Sequence, residues 1–90
     1  MSQAIADPAE LRRFAASLKR FNADLHSNLA GLHGQLMALG DTWRDQEHDR
    51  FRQEFESTMQ VLERFLEVSA DHIPFLLRKA ERIEEYLSQR

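Results

Sequence analysis

The sequence predicts an all-α protein that folds as a two-helix antiparallel hairpin. The 90-residue chain contains twelve leucines but only seven valines, isoleucines and threonines together, so it is poor in strand-forming residues. Its apolar residues recur at steps of three and four, which is the spacing of one helix face. Its glycines and prolines, the residues that most often end helices, are few: Gly31, Gly34, Gly40, Pro8 and Pro74.

The first helix is predicted over residues 8–39. Asp7 can cap its N-terminus, Pro8 suits the first helical position, and Glu10 has the spacing of a capping box. Gly40 follows the last apolar residue and is expected to end the helix as its C′ residue. The apolar positions that define the helix face are Leu11, Phe14, Leu18, Phe21, Leu25, Leu29, Leu32, Leu36 and Leu39.

The second helix is predicted over about residues 43–88. Asp41 or Thr42 can be its N-cap, because Thr42-x-x-Asp45 has capping-box spacing. Pro74 lies inside this helix, where a proline removes one hydrogen bond and costs about 3 kcal/mol. We expect a kink in one long helix, and the alternative is a break near this proline. The apolar positions are Phe51, Phe55, Met59, Leu62, Leu66, Ile73, Leu76, Ala80, Ile83 and Leu87.

The apolar stripes of both helices are broader than the strip that two facing helices can bury. Burial of one large apolar side chain contributes about 1.5–3 kcal/mol, and many left exposed promote association. We therefore expect the hairpin to dimerise to a four-helix bundle. Asn28 and Gln35 continue the three-four spacing of the first helix. They either set the register of the bundle as polar residues in its seam or lie at the edge of the apolar stripe. The predicted core and dimer interface comprises Leu18, Leu25, Leu29, Leu32, Leu36, Phe55, Leu62 and Leu66.

Composition and motifs exclude several classes of function for this single domain, residues 1–90. The absence of cysteine excludes disulfides and thiolate metal sites, and a formal net charge of −3 gives no case for nucleic-acid binding. We predict no membrane span, because no run of eighteen apolar residues occurs, and no signal peptide. Without a glycine-rich phosphate loop or a nucleophile elbow, we predict no catalytic residue, no cofactor and no small-molecule substrate.

The four histidines are expected to lie on polar, solvated faces. His26 and His33 are seven residues apart, about 10.5 Å along a helix, which is too far to share one ion without other chains. Asp45-x-x-His48 has the spacing of half a carboxylate-bridged di-iron site, but no second such pair lies on an inward face. We predict no metal site, and a metal-binding bundle enzyme is the remote alternative.

The single tryptophan lies in residues 39–45, Leu-Gly-Asp-Thr-Trp-Arg-Asp, which are followed by Phe51 and Phe55. This segment resembles the WXG100 family. Members of that family are small helical hairpins with a Trp-x-Gly turn, aromatic residues early in the second helix and a dimeric four-helix bundle. In this chain Asp45 stands in place of the family's glycine, and Arg90 stands where exported members carry an acidic residue.

The resemblance implies a non-catalytic interaction protein that forms a homodimer or heterodimer with a similar small helical protein. It implies a role in type VII secretion, as a secreted substrate or a partner subunit. We expect a cytoplasmic protein that can be exported without a cleavable signal peptide. The alternative is a cytosolic adaptor or structural dimer with no export role. The turn motif that the resemblance assigns comprises Gly40, Trp43, Asp45 and Phe51.

Overall fold

The computed structural model describes residues 6–89 as two long helices, α1 (Pro8–Leu39) and α2 (Gln46–Ser88). The helices pack side by side in an elongated molecule of 69 × 17 × 14 Å. The predicted all-α hairpin is confirmed. Within residues 6–89, neither helix contains an apolar stretch long enough to cross a membrane.

Helix α1 begins and ends where the sequence predicts. An Oδ atom of Asp7 accepts a hydrogen bond from the backbone N–H of Ala9 at 2.9 Å, and Pro8 occupies the first turn. Gly40 is the C-cap rather than the expected C′ residue, with right-handed backbone angles (φ −61°, ψ −18°). A Cβ atom on Gly40 would lie 3.2 Å from the carbonyl oxygen of Met37 and 3.6 Å from the ring of His48. Close packing at the turn therefore favours glycine at this position.

Helix α2 begins three residues later than predicted, and the expected caps Asp41 and Thr42 were wrong. Asp45 is the N-cap, and its carboxylate accepts a hydrogen bond from the backbone N–H of His48 at 3.0 Å. The backbone N–H groups of Thr42 and Trp43 instead donate to the carbonyl of Leu39, at 3.1 and 2.8 Å. These bonds hold the connecting segment against the end of α1, so α2 cannot start before Asp45.

Helix α2 continues through Pro74 to Ser88, so the alternative of a break at the proline was wrong. The apolar seam between the helices continues on both sides of the proline. Ile73 and Leu76 are half-buried and Ala80 is buried. Burial of these side chains against α1 offsets the hydrogen bond that proline removes.

The two helices meet along one seam, in which buried and half-buried positions alternate at steps of three and four. This spacing is that of knobs-into-holes packing between helices. The α1 side consists of Leu11, Ala15, Leu18, Asn22, Leu25, Leu29 and Leu36. The α2 side includes His48, Phe55, Met59, Leu62, Leu66, Ser69, Ile73, Leu76, Ala80 and Ile83.

A polar pair lies within this seam near the middle of the hairpin. The amide nitrogen of Asn22 donates to the hydroxyl of Ser69 at 2.8 Å, and that hydroxyl donates back to the amide oxygen at 3.1 Å. Ser69 is buried and Asn22 is half-buried. If one helix shifted by a heptad, the Asn22 amide and the Ser69 hydroxyl would each lie against apolar side chains and lose their hydrogen-bond partners. The pair therefore favours a single register of the two helices.

A charged pair joins the open ends of the helices. The guanidinium of Arg12 donates two hydrogen bonds, at 2.9 and 2.7 Å, to the two carboxylate oxygens of Glu84. Hydrogen bonding to Arg12 lowers the pKa of Glu84, and hydrogen bonding to Glu84 raises the pKa of Arg12. Both groups are open to solvent, so water and salt weaken this contact.

Substitution in the polar pair tests its role in the seam. We expect Asn22→Ala to lower the free energy of unfolding by about 1–3 kcal/mol, because the buried hydroxyl of Ser69 loses its partner. The double variant with Ser69→Ala should cost less than the sum of the single variants, because no polar group is then left unpaired. Urea denaturation measures these values, with Gln53→Ala, an exposed amide on α2, as the control. If the double variant instead lost the sum of the two single losses in unfolding free energy, Asn22 and Ser69 would not act as a pair.

The pair at the open ends should make stability depend on pH in the acid range. Because the pKa of Glu84 is lowered in the folded protein, the pair stabilises above the ordinary carboxyl pKa, and this stabilisation is lost as pH falls through the lowered value. Wild type should have a higher Tm than Glu84→Gln near pH 7, and the difference should disappear at about pH 2. Glu85→Gln, an exposed carboxylate one position along α2, is the matched control. A Tm difference between wild type and Glu84→Gln that persists in acid would argue against a stabilising contact between Arg12 and the Glu84 carboxylate.

Candidate functional site

The exposed side chains of the hairpin lie on two opposite sides of the seam. On one side the rings of Phe21 and Phe65 meet edge to face with centroids 6.1 Å apart. His33 and Glu56 meet across the seam elsewhere, with Nε2 3.4 Å from a carboxylate oxygen. At about 100° per residue, His33 is rotated by about 120° from Phe21, and Glu56 by about 180° from Phe65. We call the side of the phenylalanines the apolar face and the other side the charged face.

The apolar face is a row of exposed large side chains along both helices. From α1 it includes Phe14, Phe21, Leu32 and Leu39, and from α2 it includes Phe51, Val61, Phe65, Val68 and Phe75. These residues extend from near the open ends of the hairpin to its turn. Large apolar side chains gathered on one exposed side of a small protein have the character of an interaction surface.

The residues predicted for the core and the interface divide between two locations. Leu29 and Leu36 are buried in the seam, and five more residues there are half-buried: Leu18, Leu25, Phe55, Leu62 and Leu66. Leu32 alone of the predicted set belongs to the apolar face, where it is exposed. The interface prediction did not include the aromatic members of this face. The seven-residue spacing of Phe14 and Phe21 was the signal that could have found them.

An aromatic cluster closes the turn and brings the predicted turn motif together. The ring centroid of Trp43 lies 6.0 Å from that of Phe51, which in turn lies 5.6 Å from Phe55. Asp45 caps α2, and Gly40 lies against the ring of His48. The motif thus forms one packed unit, and exposed Phe51 joins it to the apolar face.

His48 departs from the expectation that the histidines are solvated. It is 7% exposed, its ring lies 5.0 Å from that of Trp43, and its Nε2 has no hydrogen-bond partner among the described residues. The seven-residue spacing from Phe55 places it in the seam, and glycine at position 40 leaves room for the ring. His26, His33 and His72 are exposed as expected.

The charged face contains a shallow groove of about 340 Å³ between the helices. Its walls carry His26 and His33 from α1 and Glu56 and Glu63 from α2, above a floor that includes Leu29 and Met59. Glu56 also accepts a hydrogen bond from Arg52 at 3.3 Å, so its two carboxylate oxygens face two different side chains. Within residues 6–89, no group of three or more histidine and carboxylate side chains is arranged to hold a metal ion. Among the described residues, the polar contacts given at the groove are that of His33 with Glu56 across the helices and that of Arg52 with Glu56 within α2.

Solved structures with the same fold include several of EsxB from Bacillus anthracis str. Sterne, described as a secreted protein. A glycine-to-alanine mutant of EsxB is 24% identical, with a TM-score of 0.80 over 93% of this chain and 97% of that chain. The wild-type protein is 24% identical, with a TM-score of 0.78 over 91% and 88%. A selenomethionine-labelled form is 23% identical, with a TM-score of 0.79 over 96% and 98%. At this identity the likeness establishes the fold.

No curated protein matches the chain. The family model described as WXG100, "Proteins of 100 residues with WXG", matches residues 3–86. The match covers both helices and the turn that contains Trp43, and it confirms the resemblance drawn from residues 39–45. The chain therefore belongs to the WXG100 family.

Proposed function

We propose that this chain is a small non-catalytic interaction protein that pairs with a similar helical hairpin through its apolar face. In this role it acts in type VII secretion, as a secreted substrate or as the partner subunit of one. The observation that carries the proposal is the exposure of the large side chains of the apolar face, which the hairpin itself does not cover.

The geometry of the hairpin supports pairing with another hairpin. A second pair of helices laid on the apolar face completes a four-helix bundle and buries Phe14, Phe21, Phe65 and Phe75. Burial of each large apolar side chain contributes about 1.5–3 kcal/mol to the free energy of association. Several such residues together can therefore stabilise a pair of hairpins without any polar contact. The charged face, with the cross-helix contact of His33 and Glu56, would remain outward in water.

The described residues favour binding over catalysis. The groove on the charged face combines exposed histidines with exposed or half-buried glutamates, and none of these side chains is shielded from water. His48 is buried, but it is packed against Trp43 and does not line the groove on the charged face. A general base or nucleophile needs both access to substrate and a partner that activates it. The net charge of −3 likewise gives no support for a nucleic-acid partner.

Membership of the WXG100 family and similarity to EsxB, described as a secreted protein, support the proposed export. Synthesis in the cytoplasm followed by export without a cleaved signal is the route we propose. Arg90, four residues after Tyr86, differs from the acidic residue of exported members, so a paired subunit would supply that signal. The same residue favours the second candidate function, a cytosolic adaptor with no export role.

Export can be measured directly in the natural host. We expect a tagged chain to accumulate in the culture medium and to remain in the cells when the type VII ATPase is deleted. A cytosolic marker protein controls for lysis. Retention in wild-type cells under conditions in which other type VII substrates are exported would instead favour the cytosolic adaptor.

The role of the apolar face can be separated from that of the charged face by two matched substitutions. We expect Phe21→Glu to abolish pairing with any hairpin, because a buried carboxylate without a partner costs several kcal/mol. Met37→Glu places the same charge on the charged face at a residue of nearly equal exposure, 51% against 52% for Phe21, and should leave pairing intact. Gel filtration of host extracts measures the native size, and circular dichroism checks that both variants remain helical. If Phe21→Glu and Met37→Glu reduced pairing equally, the apolar face would not be the pairing surface.

A further inference from the structure

We infer that the last nine residues of α1 form a strap that opens by local unfolding while the rest of the seam stays closed. We call residues 31–39 the strap. Its opening uncovers the first turns of α2 and withdraws Leu32 and Leu39 from the apolar face. The open state belongs to the single hairpin, so it requires neither the proposed pairing nor the proposed export. Helix propensity, sparse packing and an unpartnered imidazole all favour opening at this place.

Two glycines weaken the helix within the strap. Gly31 and Gly34 lie inside α1, where a glycine shifts the equilibrium between helix and coil about fivefold toward coil relative to alanine. Both are exposed, and a Cβ atom added to either would meet no neighbouring side chain or element within 4 Å. Packing in the hairpin therefore does not require glycine at these positions, in contrast to Gly40. Since α1 has no other glycine, this loss of helix stability is confined to the strap.

The strap is also the least packed part of α1 near the turn. Of residues 31–39 only Leu36 is buried and the other eight are exposed, whereas residues 22–30 contribute three residues to the seam. Segments with few buried apolar side chains unfold locally at the lowest cost in free energy. The contact of His33 with Glu56 ties the strap to α2, but these side chains are 48% and 33% exposed. A contact so open to water contributes little to closure.

An unpartnered imidazole lies at the end of the strap. His48 is buried, its ring lies close to Gly40, and its Nε2 has no hydrogen-bond partner among the described residues. A buried polar atom without a partner destabilises the state that buries it. Because Gly40 directly follows the strap, unfolding of the strap frees this glycine and lets water reach the nitrogen. The closed state is therefore penalised at the same end of α1 where the helix is weakest.

Contacts outside the strap keep the rest of the hairpin closed. The Asn22–Ser69 pair and the charged pair at the open ends both lie farther from the turn than the strap does. Asp45 caps α2 within the first turn of α2 itself, so this helix can begin at the same residue when the strap is open. Glu56 contacts the strap, and opening therefore uncovers its half-buried neighbour Phe55.

Amide hydrogen exchange measured by NMR tests whether the strap opens alone. We expect residues 35–39, whose helical hydrogen bonds are made within the strap, to be at least about tenfold less protected than residues 22–29. Asn22→Ala should speed exchange at residues 22–29 and leave the strap unchanged, because it weakens only the seam. Phe21→Glu is measured beside the natural chain, so that a partner on the apolar face cannot hide opening. Equal protection of both segments in Phe21→Glu, or a strap that responds to Asn22→Ala, overturns the inference.

Replacement of both glycines should close the strap. We expect Gly31→Ala combined with Gly34→Ala to raise the protection of residues 35–39 about 25-fold, since each change contributes about fivefold. Ala23→Gly is the matched control, because it makes the reverse change at an exposed position in the packed part of α1. It should leave the protection of the strap unchanged. Unchanged protection in the alanine variant, or a strap loosened by Ala23→Gly, overturns the role of the glycines.

Removal of the unpartnered nitrogen tests the contribution of the imidazole. His48→Phe keeps an aromatic ring beside Trp43 without a polar atom, so it should raise the protection of the strap about fivefold or more. Circular dichroism checks that the variant keeps its helices. A strap whose protection does not rise overturns the role of His48. Pairing and export are measured separately, so failure of the strap in any of these experiments leaves the proposed function in place.

Discussion

The fold depends on one constraint, which is that two helices packed side by side can bury only one stripe of each. This sequence uses that stripe for a seam in which Leu29, Leu36 and Met59 are buried. It also carries a second stripe on each helix, beside the first, and a two-layer molecule has no third layer to cover it. The thin core and the apolar face are therefore two consequences of the same pattern, because the sequence carries more apolar side chains than two helices alone can bury.

Polar contacts determine which of several apolar arrangements the chain adopts. Leucines repeat so regularly along α1 that they would tolerate a shift of the helices by one heptad, whereas the Asn22–Ser69 pair would not. The bidentate contact of Arg12 with Glu84 holds the open ends together, and the cap at Asp45 defines the start of α2. On the charged face, the cross-helix contact of His33 with Glu56 joins the two helices at the solvated side of the seam.

Periodicity and end signals predicted both helices because these signals are local. Residues 8–39 became α1 as expected, and α2 passes through Pro74 because the seam continues beyond it. The turn was less predictable, since the start of α2 depends on bonds to the carbonyl of Leu39 that exist only once the segment has folded back. Burial of His48 escaped prediction for the same reason: the space for its ring is left by Gly40, a residue of the other helix's end.

The division between seam and apolar face was the hardest feature to predict, because one column of leucines belongs to both. A straight α-helix turns by about 20° per heptad relative to a seven-residue repeat, so the column from Leu11 to Leu39 rotates out of the seam as it approaches the turn. Leu18 and Leu25 are half-buried against α2, whereas Leu32 and Leu39 are exposed. The same helical drift therefore takes one leucine column from the hairpin core at its N-terminal end to the exposed apolar face near the turn, so the core and that face are parts of a single apolar stripe on α1.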